Sequence, residues 1–152
     1  MRRLFEMDKK DYGGCTRSFT RDSARSIIIK NGKIAMIHSL KYDYYKFPGG
    51  GIEPGESAAD ALIRETAEEA GLTVIPDSIR EYGYVHRIQK STAEEDEYFV
   101  QDNYYYLCDA EEGVTPQKLD DYESDEHFIS ASPSSSPALP CLASRKARRY
   151  EK

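Results

Sequence analysis

The chain has little of what disulfide-bonded, membrane-spanning or nucleic-acid-coating proteins need. It holds three cysteines in 152 residues, Cys15, Cys108 and Cys141. Their odd number, wide spacing and lack of a Cys-x-x-Cys pair give neither a disulfide framework nor a zinc site. No apolar run approaches the length that spans a bilayer, and no secretory signal precedes the first predicted strand. Positive charge is also scarce. With 21 Lys and Arg against 27 Asp and Glu, the net charge is -6 and the pI about 5.2, which argues against general nucleic-acid binding. His38, His86 and His127 are isolated in sequence. Each reads as structural or exposed rather than catalytic, with His86, on a predicted strand, placed to face a pocket. One domain with a real core, no membrane and a cytoplasmic location are the expectations.

What the chain does have is concentrated between Gly50 and Leu72. A glycine loop leads into a helix rich in carboxylates. Ser57 is a good N-cap, and Asp60 three residues on completes a capping-box-like signal. Ala58 to Ala70 contains neither glycine nor proline and favours helix, and Gly71 supplies the stop. At helical spacing Glu65, Glu68 and Glu69 share one face, while Ala59, Ile63, Thr66, Ala67 and Ala70 take the other. Crowded like charges destabilise a helix by a few tenths of a kcal/mol per pair; a bound cation reverses the sign. Hard oxygen ligands suit Mg²⁺ or Mn²⁺. Arg64 lies one turn before Glu68 and is placed to orient it. Glu56 sits at the positive end of the helix, where a carboxylate is favoured. Three glutamates alone read as a solvated face; the fixed glycine, glutamate and Arg-Glu spacings distinguish this one.

The pattern runs glycine, five residues, glutamate, seven residues, Arg-Glu, two residues, Glu-Glu, one residue, glycine, aliphatic. It resembles the signature of the Nudix hydrolases, which cleave nucleoside diphosphates linked to another group. Every fixed polar and glycine position is matched; Thr66 stands where an aliphatic residue is usual. The resemblance implies an α/β/α sandwich with a mixed sheet and a catalytic loop-helix-loop. It implies metal-assisted hydrolysis of a phosphoanhydride bond, with Mg²⁺ (or Mn²⁺) held by Glu56, Glu65, Glu68, Glu69 and the carbonyl of Gly50. Glu65 is the first choice for the base, with Arg64 and Glu68 beside it; Glu123, Asp125 and Glu126 are weaker choices in a later loop. The partner is a nucleotide-type small molecule, and a homodimer is allowed. Subgroup marks for ADP-ribose, dinucleoside polyphosphate, coenzyme A and reduced NAD are absent. A nucleoside triphosphate or nucleotide sugar is the leaning. The alternative is a non-catalytic nucleotide sensor of the same fold, which has no need of all four carboxylates.

Around this motif the expected elements are mostly strands. Arg2–Met7 reads as a strand and Asp11–Arg21 as loop. Ser26–Lys30 and Lys33–Ser39 flank Asn31-Gly32, a strong hairpin signal, and are expected as neighbours in the central sheet. The aromatic run before the glycine loop offers Tyr44, Tyr45 and Phe47 for base stacking and Lys41 or Lys46 for a phosphate contact. Leu72–Ile75, Ile79–Ile88 and Tyr98–Cys108 read as strands, with Tyr82, Tyr84 and His86 on one side. Glu94 to Glu97 reads as a solvated acidic loop, with a late metal ligand as the sharper option. The expected domain is 1–128. From Ile129 the composition turns Ser- and Pro-rich, then basic, and 129–152 reads as disordered with no closing strand or helix.

Overall fold

The computed structural model describes residues 1–113, 115–118 and 128–131. Eight short strands precede the helix: β1 (Arg3–Asp8), β2 (Arg17–Thr20), β3 (Ser23–Ile27), β4 (Ile29–Lys30), β5 (Lys33–Ile34), β6 (Met36–Ser39), β7 (Tyr44–Lys46) and β8 (Gly49–Gly51). The helix α1 spans Ala58–Ala70, and β9 (Arg80–Lys90), β10 (Glu97–Leu107) and β11 (Phe128–Ala131) follow. The central mixed sheet runs β1-β9-β10-β3-β8, with β2 also on β10. β6 lies between β11 and β7 in a second sheet, and β4 and β5 form a two-stranded ladder.

β10 organises the central sheet. Its first half pairs in parallel with β2, from Glu97 opposite Arg17 to Val100 opposite Thr20. Its second half pairs with β3 from Asn103 opposite Ser23 to Leu107 opposite Ile27. Side chains bridge the break: Gln101 donates to the Arg21 carbonyl at 2.9 Å, and Asp22 accepts the Asp102 N–H at 3.0 Å. The segment Asp11–Arg21 is therefore not all loop. Its strand β2 is made by a distant partner and anchored where Asp96 accepts both the N–H and the hydroxyl of Thr16.

The Asn31-Gly32 turn forms as expected, both residues taking positive φ, 52° and 73°. Its strands do not enter the central sheet side by side. Only Ile29–Ile34 and Lys30–Lys33 pair across it; β3 turns to β10, and β6 turns to β7 and β11. Leu72–Ile75 makes one isolated bridge, Val74 to Ala110, instead of a strand. β11 carries a strand past the expected boundary at Phe128 to Ala131; the remainder of the tail expected to be disordered, 132–152, lies outside the described residues.

α1 is built as its sequence dictates. The Ser57 hydroxyl accepts the Asp60 N–H at 3.1 Å and donates to the Asp60 carboxylate at 2.6 Å. Gly71 closes the helix with φ 65°, its N–H on the Ala67 carbonyl. The buried stripe is Ala61, Leu62, Thr66, Glu69 and Ala70, and it packs with Ala24, Ile28, Ile37, Leu72 and Val74. Each fully buried Leu or Ile contributes about 1.5–3 kcal/mol. Thr66 does more than fill an aliphatic place. Its hydroxyl donates to Ser26 at 3.0 Å, and Ser26 donates to the Pro48 carbonyl, tying the helix to the glycine loop. α1 packs on β3 and β8 at one end of the central sheet and also against β6 and β11 of the second sheet; it is the one α-helix among the described residues. Among these, no helix is long and apolar enough to cross a membrane.

The loop lies so close to the sheet that one glycine is obligatory. Gly49 has φ 135°, and a Cβ there would collide with the Ala24 carbonyl. We expect Gly49→Ala to cost about 2 kcal/mol or more, whereas Gly13→Ala, facing open space, stays within about 0.5 kcal/mol. Urea denaturation of both variants checks this, and equal midpoints would refute it.

Candidate active site

The site is assembled around one guanidinium. Arg64, in the middle of α1, donates from Nε to Glu56 Oε1 and from Nη2 to Glu56 Oε2, both at 2.9 Å. Nη1 donates to Glu65 Oε1 at 2.8 Å and to Glu68 Oε2 at 3.2 Å. Nη2 also reaches the Gly51 carbonyl at 3.2 Å. Three carboxylates and the glycine loop thus meet on a planar fork of five donors, the geometry in which arginine outperforms lysine. The expected Arg64–Glu68 contact is present, but it is longer than those to Glu56 and Glu65, and the bidentate partner is Glu56. The Glu56 backbone is fixed by a turn on which Glu53 and Glu56 exchange hydrogen bonds.

Glu65 faces the loop. A Cβ on Gly50 would run into its carboxylate, so the Gly50 backbone and Glu65 lie against one another. Glu68 is the most open of the set, its side chain 41% exposed. Glu69 departs from the expected acidic face opposite the core: it is 1% exposed and belongs to the buried stripe. The helix turns it toward the sheet, where the Gly49 N–H donates to Oε2 at 2.9 Å and Lys46 Nζ to Oε1 at 2.6 Å. A buried carboxylate needs such partners. Among the described residues, no three His, Cys, Asp or Glu side chains form a ready-made metal cluster; Arg64 stands between Glu56, Glu65 and Glu68.

The loop is anchored from the other side by a residue that spacing alone did not single out. Arg25 Nη1 donates to the carbonyls of Phe47 and Gly49 at 3.0 and 2.8 Å. Arg21 lies against Gly51, where a Cβ would meet its guanidinium. Both precede the motif in a strand and its approach, and nothing in their local pattern marks them as loop anchors.

The four aromatic-run residues separate. Tyr44 and Tyr45 are exposed. Tyr45 stacks on His38 with centroids 4.1 Å apart, and His38 Nε2 lies 2.9 Å from Asp43. Lys46 reaches Glu69, on the helix side. Phe47 meets Tyr105 edge-on at 5.8 Å and lines an apolar cavity of about 470 Å³ with Phe5, Ile34, Tyr82, Tyr105 and Leu107. Tyr82 reaches this cavity because β9 carries an extra residue there: Tyr105 pairs with Gly83, and Tyr106 pairs with Glu81. A bulge of this kind changes the face a side chain takes. Tyr82 is therefore not in line with Tyr84 and His86. Tyr84 packs near Tyr104, and His86 Nδ1 lies 2.6 Å from Asp102. In the acidic run Glu94 lies near Arg17 and Asp96 accepts from Thr16. Glu123, Asp125 and Glu126 lie outside the described residues.

Arg64 also sets the protonation of the cluster. Hydrogen bonds from its guanidinium hold Glu56 at about 2 against an ordinary 4.5, the Glu53 N–H adding to the effect and burial opposing it. The same bonds push Arg64 above its ordinary value. A carboxylate whose folded pKa is depressed stabilises the fold above its unfolded pKa and loses that contribution as pH falls. We therefore expect the stability gap between wild type and Arg64→Met to be widest above pH 4.5 and to close as pH falls toward 2. Urea titrations in a metal chelator measure this; a gap constant over that range would contradict it.

Comparison with known proteins places this geometry. A family model described as the NUDIX domain matches residues 20–136. An RNA pyrophosphohydrolase of Ruthia magnifica subsp. Calyptogena magnifica is 47% identical over 49 residues, 31% of this chain and 27% of that protein. One from Pseudomonas putida is 44% identical over 48 residues, 30% of each. The chain thus spans under a third of these relatives. A MutT NUDIX hydrolase from Burkholderia pseudomallei has a similar fold (TM-score 0.54, 21% identity, covering 66% of this chain and 75% of that one). So has a NUDIX hydrolase from Nitrosomonas europaea (TM-score 0.51, 19% identity, covering 68% and 67%). With the family model matched over most of its length and the Glu56–Arg64–Glu65–Glu68 cluster assembled on the glycine loop, the chain belongs to the Nudix hydrolase family.

Proposed function

We propose that this protein is a cytoplasmic pyrophosphohydrolase that cleaves a phosphoanhydride bond in a nucleotide-type small molecule with the help of Mg²⁺ or Mn²⁺. Enzymes of the family generally use divalent metal ions. The observation that carries the reading is the convergence of Glu56, Glu65 and Glu68 on Arg64, with the Gly50 backbone pressed against Glu65. Four carboxylates, counting Glu69, gather around Arg64 and Lys46. The cluster's donors are all hard oxygens, which fits Mg²⁺ or Mn²⁺ and disfavours softer metals. Glu56, Glu65, Glu68, Glu69 and the Gly50 carbonyl would hold the ion. Bound there, it would supply charge neutralisation for the phosphate oxygens and a more acidic water.

The remaining work falls to the chain itself. Glu65, fixed by Arg64 and the Gly50 backbone, is the carboxylate we assign to take the proton from the attacking water. Arg64 keeps the acidic side chains oriented. The cavity behind Phe47 suits a nucleobase in size and in its aromatic lining, with Phe47 and Tyr105 as the contacts. Tyr44 and Tyr45, in the exposed hairpin, are assigned the outer edge of the substrate. The name of the curated relatives raises the triphosphate end of RNA as one substrate; the net charge of -6 favours a free nucleotide.

A panel of nucleoside triphosphates, nucleotide sugars, dinucleoside polyphosphates, ADP-ribose and 5′-triphosphorylated RNA, assayed for phosphate and pyrophosphate release, tests this. We expect turnover that requires Mg²⁺ or Mn²⁺ and falls at least about 100-fold in Glu65→Gln and Glu68→Gln. A cooperatively folded protein inert toward the whole panel would favour the sensor instead. For the best substrate, Tyr105→Ala should raise KM about tenfold with kcat nearly unchanged, the expected loss for one stacked base. An unchanged KM would remove the base from this cavity.

A further inference from the structure

We propose that Arg21 is a contact for the phosphate chain of the substrate, on the cavity side of the glycine loop, where that chain passes the edge of the central sheet toward the cation site. The inference rests on the phosphoanhydride reading above and adds a residue outside the signature. β8 ends the central sheet and pairs with β3, Gly51 opposite Ser23 and Gly49 opposite Arg25. Successive residues of a strand face opposite sides, and two glycines of β8 show what lies on each. A Cβ on Gly50 would come within 2.3 Å of the Glu65 carboxylate, and one on Gly51 within 2.3 Å of the Arg21 guanidinium. Both charged groups therefore rest on bare backbone. Gly51 shares the face of Ser23, whose hydroxyl donates to the Asn103 side chain at 2.8 Å. Tyr105 follows Asn103 on that face by the two-residue period and lines the apolar cavity. The Arg21 guanidinium is thus on the cavity side of the loop, and Glu65 is on the helix side.

Arg21 also differs from the other guanidiniums at the loop. Arg64 is engaged by three carboxylates, and Arg25 holds two carbonyls. Among the described residues, no hydrogen bond or ion pair joins the Arg21 side chain to another group. Its backbone is nonetheless fixed: the N–H donates to the Val100 carbonyl at 3.4 Å, and the carbonyl accepts from Gln101 at 2.9 Å. An exposed side chain thus leaves from an anchored base and presents a fork of donors that matches phosphate. A base between Phe47 and Tyr105 starts the substrate on this same face. A cation held by Glu65 and the Gly50 carbonyl lies across the edge strand. A diphosphate or triphosphate that joins the two passes Gly51, and Arg21 with it.

Pyrophosphate binding to the full chain in Mg²⁺, followed by titration calorimetry, tests this without requiring turnover. Arg21→Gln should weaken binding about tenfold, the loss expected for one charge-assisted pair. Arg21→Lys, which keeps the charge without the fork, should lie between. In Gly51→Ala the nearest atoms in the way of the new methyl belong to the far end of the flexible Arg21 side chain. That variant should weaken binding about fivefold with Arg21 present and less than about twofold in the Arg21→Gln background, because the two changes remove one contact. The Arg21 variants decide the matter if Gly51→Ala does not fold. Lys90 lies opposite Tyr98, on the other face of the sheet, and Lys90→Gln should leave Kd within about twofold. Unchanged binding in Arg21→Gln, or an equal loss in Lys90→Gln, would overturn the contact, and so would a wild type that binds no pyrophosphate. Arg21-dependent pyrophosphate binding in a protein inert toward the nucleotide panel would support the contact and remove the hydrolase reading alone.

Discussion

The whole arrangement depends on the Arg64 guanidinium. Without it, Glu56, Glu65 and Glu68 would repel one another across a single helix face and its approach loop. With it, they are drawn to one centre, and the Gly51 carbonyl is drawn with them. A mid-helix cation that holds a loop residue eight positions earlier does what the cap alone cannot: it fixes where the loop lies relative to the helix. The helix in turn is fixed to the sheet through Leu62 and Thr66, both fully buried. Loop, acidic cluster and core are therefore one mechanical unit.

That unit also separates two kinds of chemistry. The carboxylates gather where the glycine loop meets α1, and the aromatic cavity lies beyond Phe47. The division passes between two adjacent residues, Lys46 and Phe47. One reaches a buried carboxylate, and the other turns its ring to Tyr105. Arg25 holds the carbonyls of Phe47 and Gly49 and so keeps the dividing segment from sliding.

The helix, its cap, its glycine stop and the membership of the acidic cluster were legible because they depend on short-range spacing. Ser57, Asp60, Arg64 and Gly71 act within a turn or two of the chain. Helical spacing groups Glu69 with Glu65 and Glu68 on the face away from the core, while its burial is decided by the Gly49 N–H and Lys46, which no helical wheel contains. β2 looks like loop in its own sequence because its stability comes from β10. The Asn31-Gly32 turn was right about its own dihedrals and silent about which sheets the flanking runs would join. Alternation puts Tyr82 in line with Tyr84, but a bulge shifts the two-residue period, and neither Tyr82 nor Gly83 announces one. Local chemistry is written locally; register and partner choice are not.

The pairing of β10 has a consequence for the order in which the protein acquires structure. Every residue of β2 and β3 meets a partner 80 positions later, from Arg17 with Glu97 to Ile27 with Leu107. Such pairings close long loops and are slow to form. During synthesis α1 emerges from the ribosome before β10 does. Its cap and stop can form at once, but the sheet surface that buries Leu62 and Thr66 is incomplete until β10 arrives. The acidic helix thus waits, locally formed and without its floor, and the last strand of the central sheet to be made is the one that commits the chain to its fold.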